Sequence, residues 1–290
     1  MSYPFAKISF TAKLAAYMRQ FSDIPFASDV ADIVGARRAF EGLLRQHAMR
    51  SEDLHFYAPI FEARHKSLSV MIRRARAQQV LELAAGLSTR GLALTSDPKL
   101  RYVETDLPEP VTEKHELLAA ISRRHRLLPR NNLRVTAADA LDRDQLLQIA
   151  TTHMQAGLRA VIVHEGLLQY LSSSETEKVA LNIHELLGRF GGVWITPDFS
   201  LKGDAANFSD QQRKFQAVIA EVTERTLYNN AFENIEHLRE YFRALGFQVE
   251  VFNQLYLAPH ITSMERLRLK PELLDELRPR LRLWSLTRLG

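Results

Sequence analysis

Val80-Leu-Glu-Leu-Ala-Ala-Gly-Leu-Ser-Thr-Arg90 is the stretch whose reading decides the fold. Its first residues are an apolar run of β-strand length ending near Glu82. Small residues follow, and Gly86 is the glycine of the turn. Ser88-Thr89 then offers hydroxyls where a helix begins, and a short helical pattern runs over Thr89–Thr95. Strand, tight turn and helix N-terminus is how an α/β domain opens a nucleotide pocket. About twenty residues further on, Arg101-Tyr-Val-Glu-Thr-Asp106 reads as a second strand ending in acids, where a ribose-binding acid is expected.

The alternation continues outward from this pair. A helix is predicted over Pro110–Ile121, a third strand over Asn132–Thr136 and a helix over Asp142–Ala150. Ala160–His164 is apolar enough for a central buried strand. Ser174–Phe190 follows as a long helix, with Ser174 and Glu177 as its capping box, and then a fifth strand over Gly192–Thr196. Strands alternating with helices of this length imply a parallel sheet with right-handed crossovers. Pro197 to Asn230 interrupts the pattern with a helix over Ser209–Thr226. An insertion there lies over the carboxyl ends of the strands, where ligands bind, and reads as a lid. Ile235–Leu245 is the last clear helix; Phe247–Phe252 reads as a sixth strand, and the final strand reads as Gln254–Leu257 or, alternatively, a stretch near Ala258–Thr262.

Residues 1–79 are helical in pattern. Phe10, Leu14 and Tyr17 have helical spacing; Ser28 and Asp29 offer caps for a helix through Leu44; a helix over Ile60–Arg76 follows the break at Pro59. The expected architecture is α/β: a doubly wound, mostly parallel, seven-stranded Rossmann-like sheet. An N-terminal helical cap covers 1–79, a core 80–262 includes the lid at about 200–230, and an arginine-rich arm covers 263–290.

Composition narrows the function. The 290 residues carry no cysteine, which excludes thiolate metal sites and cysteine nucleophiles and fits a reducing cytosol. No apolar run approaches a membrane span, and the opening MSYPFAKISF lacks a signal pattern, so a soluble cytoplasmic protein is expected. The net charge of +4 is modest. Arginines cluster at 73–76, 123–130 and 266–288 but outside any nucleic-acid module, so solvated helix faces are expected and nucleic acid is not. The partner is then a small-molecule acceptor, and the sequence sets no oligomeric state.

Two cofactors suit a strand–turn–helix with a later acid. A dinucleotide needs several glycines for helix N–H groups to approach a pyrophosphate. Here the turn has Gly86 and, later, Gly91, and no G-x-G-x-x-G can be drawn. S-adenosylmethionine carries no phosphate and needs only close backbone approach to its methionyl and ribose parts.

Four motifs come in order: E-x-A-A-G-L-S-T-R, E-T-D-L-P after strand two, A-A-D-A after strand three, and H-E-G-L-L-Q-Y-L after strand four. Together, over about residues 55–200, they resemble the leucine carboxyl methyltransferase family, which includes polyketide O-methyltransferases of the tetracenomycin type. The opening I-S-F-T-A-K-L-A-A is similar to the start of bacterial members. The resemblance implies an S-adenosylmethionine-dependent methyltransferase. By position it implies that Arg64 pairs the methionyl carboxylate and that Gly86 is where the backbone meets the cofactor. Asp106, with Glu104 as substitute, binds the ribose hydroxyls. Asp139 and the Ala140 backbone contact adenine. Glu165 faces the methionyl end, and Glu82, the acid that ends strand one, belongs to the same methyltransferase pattern and is counted among the cofactor-binding residues. The sequence departs from the common turn G-A-G-L-D-T-R at Ala84 and Ser88.

Methyl transfer from a sulfonium asks the protein for position, alignment and exclusion of water. A carboxylate acceptor arrives ionised and needs no base, whereas a phenol usually wants one. Of the ten histidines, His164, His65 and His115 lie nearest the motifs, and none has a clear catalytic setting. Tyr170 is the candidate on the acceptor side. The expected function is O-methylation of a carboxylate or hydroxyl on a small molecule of polyketide type. A dehydrogenase, or a catalytically silent methyltransferase-fold binding protein, is the alternative.

Overall fold

The computed structural model describes residues 9–206, 208–224 and 230–290. Ile8 of the opening motif, and Asn207 and 225–229 of the expected lid, lie outside them. Among the described residues four α-helices precede the sheet: α1 (Ser9–Arg19), α2 (Ala27–Ile33), α3 (Ala36–Gln46) and α4 (Tyr57–Arg74). The helix expected from Ser28 through Leu44 is therefore two, turned at Gly35. Pro59 does not break the chain. It sits in the first turn of α4, where a missing N–H costs no helical bond.

The sheet comprises β1 (Gln79–Leu83), β2 (Arg101–Asp106), β3 (Leu133–Ala137), β4 (Ala160–His164), β5 (Gly192–Thr196), β6 (Phe247–Asn253) and β7 (Arg282–Arg288). Its order is β3-β2-β1-β4-β5-β7-β6. β1 to β5 pair in parallel with one another, while β7 is antiparallel to both β5 and β6. The crossovers are α5 (Arg90–Leu94), α6 (Pro108–His125), α7 (Arg143–His153) and α8 (Ser173–Phe190). The capping box of α8 is Ser172 with Glu175, two residues before the expected pair, because Ser-Ser-Ser-Glu-Thr-Glu offers the pattern twice. After β5 come α9 (Lys202–Ala206), α10 (Asp210–Thr223) and α11 (Ile235–Ala244). This is the expected Rossmann-like, seven-stranded, mostly parallel arrangement.

Alternation along the central strands sorts side chains between the two faces. Val80, Val161, Val163 and Ile195 join one core cluster with Leu14, Tyr17, Phe40 and Leu68 of α1, α3 and α4. Leu81, Leu83, Ile162 and Trp194 join the other with Ile183, Phe242 and Trp284. The N-terminal helices thus share their core with one face of the sheet. The same parity sends Glu82 toward α4 and His164 toward Trp194.

The C-terminal region departs most from expectation. Gln254–Leu257 is not a strand but α12, started by the Asn253 side chain, which accepts from the Leu255 N–H at 3.0 Å. The missing strand is β7, from the stretch expected to be an arm. Its Leu283, Trp284, Ser285 and Leu286 are buried between β5 and β6, and the indole of Trp284 is fully enclosed. Before it, α13 (Thr262–Arg266) and α14 (Glu272–Leu277) lie against α4. Buried Glu62 accepts from the N–H groups of Thr262 and Ser263, each at 2.8 Å. Arginines at both ends of β7 disguise an apolar alternation only a few residues long. Trp284→Ala is expected to lower stability by about 3–5 kcal/mol, the ordinary cost of an emptied core indole, as read by urea denaturation.

Candidate active site

At the carboxyl ends of β1, β2, β3 and β4 a cavity of about 270 Å³ opens under α1, α4 and α10. Its wall includes Arg64, Glu82, Gly86, Asp106, Asp139, Ala140, Glu165 and Tyr170. Sequence reasoning named all of these, and the fold brings them to one place.

The turn after β1 is tight. Ala84 and Gly86 both take left-handed backbone, φ 50° and 49°. Gly86 does so without strain, whereas Ala84 holds a conformation that costs an L-residue about 1–2 kcal/mol. The Gly86 N–H donates to Asp106 Oδ2 at 2.7 Å, and the Leu107 N–H donates to Oδ1 at 2.8 Å. Burial raises the Asp106 carboxyl above its usual range, while these two N–H groups and Lys114 oppose the rise. On the next strand, Asp139 Oδ1 accepts from the Leu141 N–H at 2.8 Å and shapes its own turn. The Ala140 carbonyl accepts from Asn182 at 3.0 Å.

Two of the candidate acids have other work. Glu104 does not face the cavity. It is buried behind the turn, 2.9 Å from the Lys114 ammonium, and desolvation raises its carboxyl despite that partner. Gly91 allows this: a Cβ there would lie 2.3 Å from Glu104 Oε1. Glu82 reaches the cavity wall, but Arg90 donates to its Oε1 and the Tyr102 hydroxyl to Oε2, the latter at 2.7 Å. Glu104 is therefore turned away from the cavity, while Glu82 lies on its wall with both oxygens already bonded.

Arg90 joins the site together. Its guanidinium is fully buried and donates to Glu82 and, at 2.5 Å, to Glu165 Oε2. Burial opposes its charge, but Glu82, Glu165 and Tyr102 outweigh burial and hold the proton more firmly. Glu165 also accepts from Arg19 at 2.6 Å and lies 3.8 Å from Arg64 Nε. Burial would raise Glu165, yet Arg19, Arg90 and Arg64 together hold it far below the usual carboxylate range. Arg64 donates to Asp198 Oδ1 at 2.7 Å. Sequence reasoning missed Arg19 and Asp198. Arg19 lies on α1 three residues beyond the opening I-S-F-T-A-K-L-A-A, outside every quoted motif. Asp198 is an acid two residues past a strand end, the same signal that marked Asp106.

His65 and His164 stand behind the cavity. Burial, reinforced by Arg90 and Arg19, holds His65 well below its usual value. His164 Nε2 accepts from the Trp194 indole at 3.0 Å. His115 is exposed on α6. Among the described residues no histidine or lysine lines the cavity.

The cavity has the features that S-adenosylmethionine needs. The Nε atoms of Arg19 and Arg64 are buried without a hydrogen-bond partner among the described residues. A buried unpartnered N–H is costly, and two on neighbouring guanidinium groups suit an anionic ligand group. Among the described residues no cluster could hold a metal, and no helix is long and apolar enough to cross a membrane.

Fold and cavity together define the Rossmann-like class that uses S-adenosylmethionine. The family model for leucine carboxyl methyltransferase matches residues 24–184. The chain belongs to the leucine carboxyl methyltransferase family. A Mycobacterium bovis BCG protein is 30% identical over 206 residues, covering 69% of this chain and 66% of that protein. Its description, S-adenosyl-L-methionine-dependent methyltransferase, names no acceptor. A Mycobacterium tuberculosis relative matches to the same extent. The matched region spans just under two thirds of these relatives' length, 66%. A DUF574 family protein from Streptomyces avermitilis shares the fold at TM-score 0.57, with 13% identity and 97% coverage of both chains. A Thermobifida fusca structure described as a methyltransferase gives 0.52 at 18% identity, covering 96% of this chain and 94% of that one.

Glu165→Gln leaves Arg90 and Arg19 short of a buried counter-charge. It is expected to cost about 3–5 kcal/mol at pH 7. The contribution of a depressed carboxyl is complete above its unfolded value, about 4.3, and fades as pH falls below that. The gap between wild type and variant in urea denaturation should therefore narrow between about pH 5 and pH 3.

Proposed function

We propose that this chain is an S-adenosylmethionine-dependent O-methyltransferase that esterifies a carboxylate on an apolar small molecule. The observation that carries the cofactor half is that Arg19 and Arg64 line one cavity with Gly86, Asp106, Asp139 and Ala140, and the Nε of each is buried without a hydrogen-bond partner among the described residues. Bound there, S-adenosylmethionine supplies a methyl already activated by its sulfonium. Arg19 and Arg64 would hold the methionyl carboxylate. The Asp106 oxygens, each already fixed by one backbone N–H, keep lone pairs for the ribose hydroxyls. Asp139 and the Ala140 backbone would meet adenine. Glu165, held ionised, places negative charge beside the methionyl end.

The acceptor half rests on the rest of the wall. Leu14, Tyr57, Ile60, Phe61, Phe215 and Ile219 form its apolar part. Such a surface excludes water from the transfer and receives an apolar or aromatic body. No histidine or lysine among the described lining residues could deprotonate a hydroxyl near neutral pH. The strongly depressed Glu165 is a poor base. An acceptor that arrives ionised suits this wall, and a hydroxyl suits it less. Tyr170, on the wall beside Leu171, would contact the acceptor. An apolar wall also favours a polyketide-like or aromatic acid over a charged peptide. The expected setting is the cytoplasm.

Titration calorimetry with S-adenosylmethionine tests the first half. Binding is expected, and Asp106→Ala should weaken it about 10–100-fold, the worth of charge-assisted hydrogen bonds to the ribose. An intact wild-type chain that does not bind would sink the reading. For the second half, kcat/KM on an apolar carboxylic acid should stay level from about pH 6 to 9, since a carboxylate is ionised throughout. A limb rising near pH 7 would mean a protein base and a hydroxyl acceptor. Binding without turnover on any acid or phenol would favour a silent binding protein.

A further inference from the structure

We propose that Asp198 is a positioning residue for the cofactor: it holds the Arg64 guanidinium in the attitude that receives the methionyl carboxylate. This rests on the cofactor reading above and adds to it a residue outside the four motifs.

Asp198 follows β5 and is fully buried at its carboxylate. Five donors converge on that group. Oδ1 accepts from Arg64 Nη2 at 2.7 Å and from the Gly166 N–H at 2.8 Å. Oδ2 accepts from His164 Nδ1 and the Leu167 N–H, each at 2.8 Å, and from the Leu168 N–H at 3.2 Å. The Trp194 indole N–H can only donate, so His164 Nε2 accepts and the neutral ring carries its proton on Nδ1. His164 then brings no charge. Among the described residues, Arg64 is the cation paired with Asp198. A buried carboxylate with one cationic partner fixes that partner strongly, because separation would leave both charges bare.

The consequence lies at the other edge of the guanidinium. With Nη2 held by Asp198, Arg64 stays on the cavity wall, its Nε buried without a hydrogen-bond partner among the described residues and 3.8 Å from Glu165 Oε1. Side-chain freedom that an arginine would lose on binding a carboxylate is removed beforehand. Asp198 also fixes the Gly166–Leu168 backbone, and Gly166 and Leu167 lie on the cavity wall. One carboxylate therefore ties β5, the loop after β4 and α4.

The test compares two ligands by titration calorimetry on the full chain. S-adenosylhomocysteine carries the methionyl carboxylate; 5′-methylthioadenosine keeps the adenosine and thioether and lacks it. Asp198→Asn is expected to weaken the first by about tenfold or more, the worth of a charge-assisted hydrogen bond, and to leave the second unchanged. Arg64→Ala should show the same selectivity, and the double variant should lose no more than Arg64→Ala alone. Equal losses for both ligands, wild-type affinity in Asp198→Asn, or additive losses in the double variant would overturn the proposal. If Asp198→Asn does not fold, Arg64→Lys replaces it. Lysine keeps the charge without the planar fork, and the same selective loss is expected; full affinity for S-adenosylhomocysteine in that variant would overturn the proposal. A wild-type chain that binds neither ligand would remove the cofactor reading, and this inference with it.

Discussion

The buried guanidinium of Arg90 is the constraint on which the site depends. It bridges Glu82 on β1 and Glu165 after β4, and both acids are themselves almost enclosed. Taking such charges out of water costs several kcal/mol per ion, and only close, well-directed partners offset it. The turn after β1 must therefore bring Arg90 back over its own strand. That requirement sets the tight left-handed backbone at Ala84 and Gly86, which in turn aims the Gly86 N–H at Asp106. One ion pair thus fixes the relative positions of three strand ends.

Around it lies an alternating chain of charges: Glu82, Arg90, Glu165, Arg19 or Arg64, and Asp198. Glu165 is held between cations, Glu82 and Asp198 each have one, and the chain ends at the neutral His164. The two outer arginines come from α1 and α4, not from the sheet. Those helices share a hydrophobic cluster with β1 and β4, so their arginines have no freedom to withdraw. Packing of an apolar kind is what delivers charge to the cavity.

The chemistry follows from what the wall offers and what it withholds. Polar groups are gathered at strand ends, where they suit a cofactor. The remaining wall is aliphatic and aromatic and carries no lysine or histidine among its described residues. Its ring contacts, such as Tyr57 with Phe215 at 5.2 Å, join α4 to α10. Helices from two distant parts of the chain therefore close the acceptor end together.

By itself the sequence determined the alternation of strands and helices, the turn at Gly86 and the acids beyond β2, β3 and β4. These are local signals: periodicity, turn chemistry and residue type at a strand end, each readable within about ten residues. Family membership followed from the same motifs in order. What only the tertiary structure decided depends on contacts between distant segments. β7 was hidden because a short antiparallel strand flanked by arginines is recognisable only by its neighbours, β5 and β6. The place of Glu104 was misread because an acid near a strand end looks alike whether it faces the cavity or a buried cation; Lys114 decided which. Arg19 and Asp198 lie 179 residues apart in sequence; Arg19 lines the cavity, and Asp198 stands behind it, bonded to its wall residues Arg64 and Gly166. No spacing rule spans that distance, because the geometry is carried by the shared core and not by the chain between them.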